Sequence, residues 1–90
     1  MEKKNRDVRL KQGAVVFSDG RGYGMKRGKD FRYAKDAVQT AVLKALKQRR
    51  GTLEELLDAV TGQMPGDPQQ CMTSLALAEF VLDFGEYLEQ

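Results

Sequence analysis

An α+β fold, a three-stranded antiparallel sheet followed by three helices, is predicted by three observations. Short apolar runs in the first third of the chain are punctuated by Gly-containing turns. After Tyr33 the hydrophobic spacing changes from strand-like to helical. Two further helix-start signals follow, one on each side of Met64-Pro65-Gly66.

The elements are justified in order. Residues 1–6 are polar and read as a flexible tail. From Asp7 to Lys11, Val8 and Leu10 alternate with Asp7, Arg9 and Lys11, the pattern of a half-buried strand. Gly13 interrupts it, and Ala14, Val15, Val16 and Phe17 follow as an apolar run in which Phe17 is expected to be core. Asp19-Gly20 signals a hairpin turn of type I′, whose two central residues need positive φ. A second strand is expected over Gly22 to Lys26, a turn at Arg27-Gly28-Lys29-Asp30, and a third strand at Phe31-Arg32-Tyr33 with both aromatics on one face. Residues 7–33 thus form a basic β-meander within one domain spanning 1–90, and residues 34–90 form its helical part.

Ala34, Ala37, Val38, Ala41, Val42, Ala45 and Leu46 recur at helical spacing, with Lys35, Gln39, Lys44 and Lys47 outside the stripe. Gly51 is expected to close that helix in the left-handed conformation, after basic Lys47, Arg49 and Arg50. Thr52-Leu53-Glu54-Glu55 is a capping box opening a short helix with Leu53, Leu56, Leu57 and Val60. Asp67 as N-cap with Pro68 behind it is expected to start the last helix. Apolar residues wrap most of that cylinder, so it is either central to the fold or buried against a second chain. Gly85 ends or bends it.

Charge is the most uneven property of the chain. All fifteen Lys and Arg lie in residues 1–50 with five acids, a net +10, whereas residues 51–90 hold eight acids and no cation, a net −8. An asymmetry of this kind marks a polyanion-binding face, an acidic interaction face, or halves that meet in a homodimer. The single cysteine, Cys71, excludes an internal disulfide, and on an apolar helix without a histidine partner it reads as a buried thiol. The chain has no histidine, the commonest general base and transition-metal ligand, and no calcium-loop spacing. These features predict a non-enzymatic protein with no metal and no cofactor. The absence of an apolar run of membrane-spanning length, or of a signal-peptide pattern, predicts no membrane partner and a cytoplasmic address.

Two stretches carry family resemblances. Phe17, Arg21, Gly22, Tyr23 and Gly24 are placed as in the first RNA-binding motif of cold-shock domains, which Phe17-Met25 therefore resembles; Ser18 and Met25 depart from it. Asp30-Phe31-Arg32-Tyr33 is similar to the second motif but lacks its histidine. The likeness is local, because a cold-shock barrel needs about five strands and this chain turns helical after three. Gly13 with the valines behind it, the strand-to-helix step near Tyr33, Thr52-Leu53-Glu54-Glu55-Leu56 and Asp67-Pro68 span nearly the whole chain. In that order they resemble the small, winged-helix-like peptide-recognition domains of the PqqD type, known from pyrroloquinoline-quinone biosynthesis. The polar residue usual there before the first helix is replaced by Ala34-Lys35. The resemblance implies a leader peptide added as a strand beside Phe31, Arg32 and Tyr33 and against Leu75 and Leu82.

The residues themselves favour nucleic acid. Arg9, Lys11, Arg21, Lys26, Arg27, Lys29, Arg32 and Lys35 are expected on one basic sheet, meeting phosphates, with Tyr23 and Tyr33 stacking on bases of a single strand. The alternative for Tyr23 is packing against the helices. A last helix with Glu79 and Asp83 and no cation is unsuited to reading DNA in a major groove. The competing expectation is a protein- or peptide-binding adaptor working by strand addition; either fits a homodimer paired through the last helix.

Overall fold

Three strands precede three helices, as the glycine punctuation and the change of period predict. In a computed structural model, which describes residues 8–89, the elements are β1 (Ala14–Asp19), β2 (Gly22–Arg27), β3 (Asp30–Tyr33), α1 (Ala37–Lys47), α2 (Leu53–Gln63) and α3 (Gln70–Asp83), closed by a 3-10 turn at Gly85–Tyr87. The sheet is an antiparallel meander in the order β1-β2-β3. No helix among the described residues is long and apolar enough to cross a membrane.

Both hairpin turns form, with different chemistry from that expected at the first. Gly20 is not left-handed; Gly22 is, at φ 127°, and Asp19 Oδ1 accepts from the Arg21 N–H at 2.8 Å. Aspartate at the first turn position and glycine at the fourth is the signature of a type I turn, so the positive φ sits at its exit. At the second turn Gly28 has φ 62°, as a type II′ turn requires at its first central residue.

The strand expected from Asp7 is not part of the sheet. Asp7 lies outside the described residues, and Leu10 makes a lone antiparallel bridge to Leu88. The Lys11 N–H donates to Tyr87 O and the Glu89 N–H to Arg9 O, so the alternation reflects a clasp between the two ends of the chain.

Helix α1 starts later than its apolar stripe, because Asp36 caps it and accepts from the Gln39 N–H at 2.9 Å. Its end is a Schellman motif with Arg49, not Gly51, in the left-handed position at φ 64°. Gly51 serves another need: Val8 donates to its carbonyl at 2.7 Å, and a Cβ there would lie 2.7 Å from Val8 O. The capping box of α2 forms as read, with Thr52 and Glu55 bonded reciprocally. Helix α3 is capped at Gln69 without a side-chain bond, so Asp67 does not start it.

The core lies between one sheet face and the helices. Ala14 and Met25 from the sheet pack with Val42, Leu43 and Leu46 of α1, Leu56 and Val60 of α2, and Leu77, Phe80, Phe84 and Leu88 beyond. Gln39, expected outside the stripe, is 3 % exposed. Its side chain accepts from the Lys35 N–H at 3.0 Å and donates to Asp83 at 2.8 Å, so both halves of the amide are satisfied.

Candidate functional site: the open face of the sheet

Side chains opposite one another in an antiparallel pair share a face. The register puts Ala14, Val16 and Ser18 with Met25 and Tyr23, and places Arg27, Asp30 and Arg32 on that same side, toward the helices. Val15, Phe17, Asp19, Lys26, Phe31 and Tyr33 occupy the other side. Among the described residues no helix covers this second face: Val15 is 46 % and Phe31 61 % exposed, and neither Phe17 nor Tyr33 belongs to the core.

The aromatic rings form a row across the sheet. Phe17 meets Tyr33 edge-on at 5.4 Å between centroids, and Tyr33 meets Phe31 the same way at 5.8 Å. The row is possible because β2 contributes Gly24 beneath it. A Cβ at Gly24 would lie 2.8 Å from the Phe17 ring and 2.7 Å from Arg32 O. Lys26 Nζ sits 5.7 Å from the centroid of Phe17, placing a cation at the edge of an apolar platform. The result is a half-wet aromatic surface that no element of the fold uses as core.

Tyr33 is held in place by its hydroxyl, which donates to Asp19 Oδ2 at 2.6 Å. That bond, together with the Arg21 N–H, lowers the Asp19 carboxyl below its ordinary value of 3.8, and the Asp19 bond raises Tyr33 above its ordinary 10.0. Asp19 thus favours the fold above pH 3.8 and loses that effect as pH falls through its depressed value. Tyr33 contributes below pH 10.0 and loses its share as pH rises through its elevated value. Asp19→Asn is expected to bring the Tyr33 titration, followed by its ring NMR shifts, back down toward 10.0. An unchanged titration in that variant would show that the bond does not hold the row.

The predicted basic residues are dispersed. Lys26 and Tyr33 share the open face; Arg21 lies at the tip of one hairpin and Lys29 at the tip of the other. Arg27 and Arg32 are on the helix side of the sheet, and Arg27 Nε donates to Gln12 O at 3.1 Å. Lys35 is drawn to α3, 3.0 Å from Glu79 and 3.4 Å from Asp83, and its pKa is raised chiefly by Glu79. Asp83 is lowered, first by the bond from Gln39 and then by Lys35. Arg9 and Lys11 flank the Leu10–Leu88 bridge. One basic face containing all eight cations is therefore not formed.

Phe17 departs from expectation, and Tyr23 takes the helix-packed alternative rather than a place among the base-stacking residues. Phe17 is on the open face and outside the core, whereas Tyr23 packs against the helices, with Lys44 Nζ at 5.4 Å and Lys47 Nζ at 5.7 Å from its ring centroid. Lys44 and Lys47 stand outside the apolar stripe, and their spacing of three along α1 puts both on one ring. The residues implied by the peptide-domain resemblance also separate. Phe31 and Tyr33 are on the open face and Arg32 on the opposite one, while Leu75 and Leu82 are 69 % and 82 % exposed on α3. Cys71 is exposed rather than buried, because it lies on the outward side of α3. Among the described residues no three acidic or cysteine side chains gather to hold a metal ion. Comparison with known protein families, with curated proteins and with solved structures found no match to this chain.

Proposed function

We propose that the protein is a non-enzymatic, single-stranded nucleic-acid-binding domain whose contact surface is the open face of its sheet. The observation that carries this reading is the uncovered row Phe17–Tyr33–Phe31 with Lys26 beside it. Every base has a π-face, so exposed rings at neighbouring strand positions serve as stacking sites regardless of sequence. Arg21 and Lys29 at the two hairpin tips bracket the row and meet the phosphates on either side. The residues that carry the activity are thus Phe17, Phe31, Tyr33, Lys26, Arg21 and Lys29.

Anisotropy of labelled oligo-dT and oligo-rU tests the reading. With about three to five phosphates neutralised at about 0.7 each, the slope of log affinity against log salt is expected to be about −2 to −3.5. Duplex of the same length is expected to bind more weakly, since its bases are not free to stack. No binding at about 50 mM salt, or preference for duplex, contradicts the reading.

A second reading is favoured by the free edge of β3. Ala34 donates to Tyr23 O at 2.9 Å, and by the alternation of the ladder the N–H and C=O of Phe31 and Tyr33 point away from β2. An extended segment of a partner adds to such an edge through main-chain bonds, as the PqqD-like resemblance implies. Peptides selected on the protein from a random library would then shift the amide resonances of residues 29–35. Shifts confined to other residues would rule it out.

A further inference from the structure

We propose that Asp19 selects the base bound at the first-hairpin end of the open face, and that the base it takes is guanine. This rests on the open face of the sheet being the single-strand-binding surface. Asp19 is the last residue of β1, exposed, and on the same face as Phe17 and Tyr33. Two bonds fix its carboxylate: Oδ2 accepts from the Tyr33 hydroxyl at 2.6 Å and Oδ1 from the Arg21 N–H at 2.8 Å. An ionised carboxylate has about four acceptor positions and no donor, so each oxygen can take one more bond. The Tyr33 bond and then the Arg21 bond hold the carboxyl below its ordinary 3.8, so it is ionised at neutral pH and only accepts.

The floor beside it is bare. Gly22 lies opposite Asp19 and Gly24 opposite Phe17, so β2 raises no side chain next to the carboxylate. A Cβ at Gly22 would meet nothing within 4 Å among the described residues. A phenolic O–H lies in the plane of its ring, which puts the carboxylate beyond the rim of Tyr33 instead of across its face. A base lodged at this end of the row is therefore met at its edge by Asp19, while the rings stay free for stacking.

That edge must offer donors alone. Guanine presents two side by side, the N1–H and the 2-amino group, spaced for the two oxygens of one carboxylate as the arginine fork is. Adenine and cytosine each set one amino group beside a ring nitrogen that accepts. Thymine and uracil set one N–H between two carbonyl oxygens. Each of these brings a lone pair against Asp19. A carboxylate on a surface that meets phosphates is otherwise a cost, because like charges repel. A donor-only base edge offsets it.

Anisotropy at about 50 mM salt tests the proposal, using an oligo-dT with one central dG and the same length with dA, dC, dT or dI there. The dG oligonucleotide is expected to bind about fivefold or more tightly than those with dA, dC or dT, the margin a bidentate base contact gives. The base of dI lacks the 2-amino group of guanine, and its oligonucleotide is expected to lose most of that margin without any change to the protein. Asp19→Asn, which puts a donor where one acceptor was, is expected to bring the ratio of dG to dT affinity close to one. A parent that binds the dT oligonucleotide but favours no base would overturn the role of Asp19 and leave the binding face standing. A dI oligonucleotide as tight as dG, or an Asp19→Asn variant that keeps the ratio, would also overturn it. A parent that binds none of them overturns both.

Discussion

Phe31→Ala combined with Phe17→Ala is expected to weaken binding of single-stranded oligo-dT by about two orders of magnitude. A base stacked on a protein ring contributes about 1–3 kcal/mol, which is about 5- to 150-fold per ring. The two rings flank Tyr33 at 5.4 and 5.8 Å, so their effects are expected to couple rather than add. Because Phe31 is 61 % exposed, its removal alone should leave the melting temperature nearly unchanged while costing affinity. Phe17 covers Gly24, so its truncation should cost some stability as well. Anisotropy at fixed low salt, with thermal melts of the same samples, separates the effects. An affinity loss below about threefold in the double variant would contradict the stacking role.

Phe80→Ala is expected to be the most damaging single substitution for the fold. Phe80 is completely buried and stacks on Phe84 with centroids 4.7 Å apart and planes 21° from parallel. It lies where α3 and the closing turn meet the rest of the core. Truncating a buried Phe to Ala costs about 3–5 kcal/mol, because the cavity collapses only in part. A domain of this size has about 4–13 kcal/mol of stability in all. At about 4–8 °C per kcal/mol the melting temperature should fall by about 15–30 °C. A fall of less than about 5 °C would mean that the ring is not packed as described.

The sequence was most legible where the deciding chemistry is local. Thr52 and Glu55 are three residues apart and need no other part of the chain to form their capping box. The helical spacing of Val42, Ala45 and Leu46 likewise declares which side of α1 is buried. Aspartate and glycine at the first hairpin gave the turn but not its type, since both type I with a glycine exit and type I′ use them.

What was not legible was which face of the sheet the helices would cover. Alternation groups Val15, Phe17, Phe31 and Tyr33 on one side and Ala14, Val16, Tyr23 and Met25 on the other, and the first group is the more aromatic. Hydrophobicity alone would bury it. The helices instead lie on the side of Ala14 and Met25, where the smaller Ala14 faces α1 and α1's own Val42, Leu43 and Leu46 fill the layer. Phe17 lies on the open face, and Tyr23 against the helices, for this reason. The positions of Lys35 and Gln39 depended on partners 44 and 48 residues away, Glu79 and Asp83 for the lysine and Asp83 for the glutamine, and no local pattern announces such pairs. Part of the charge asymmetry therefore closes within the chain instead of in a dimer.

The measurement that bears most directly on the central claim is a map of backbone and ring NMR shifts as oligo-dT is added. The account predicts that Phe17, Lys26, Phe31 and Tyr33 move together with Arg21 and Lys29, while Leu53, Leu75 and Leu82 do not. Shifts gathered on α2 and α3, or none at concentrations well above the anisotropy midpoint, would contradict it.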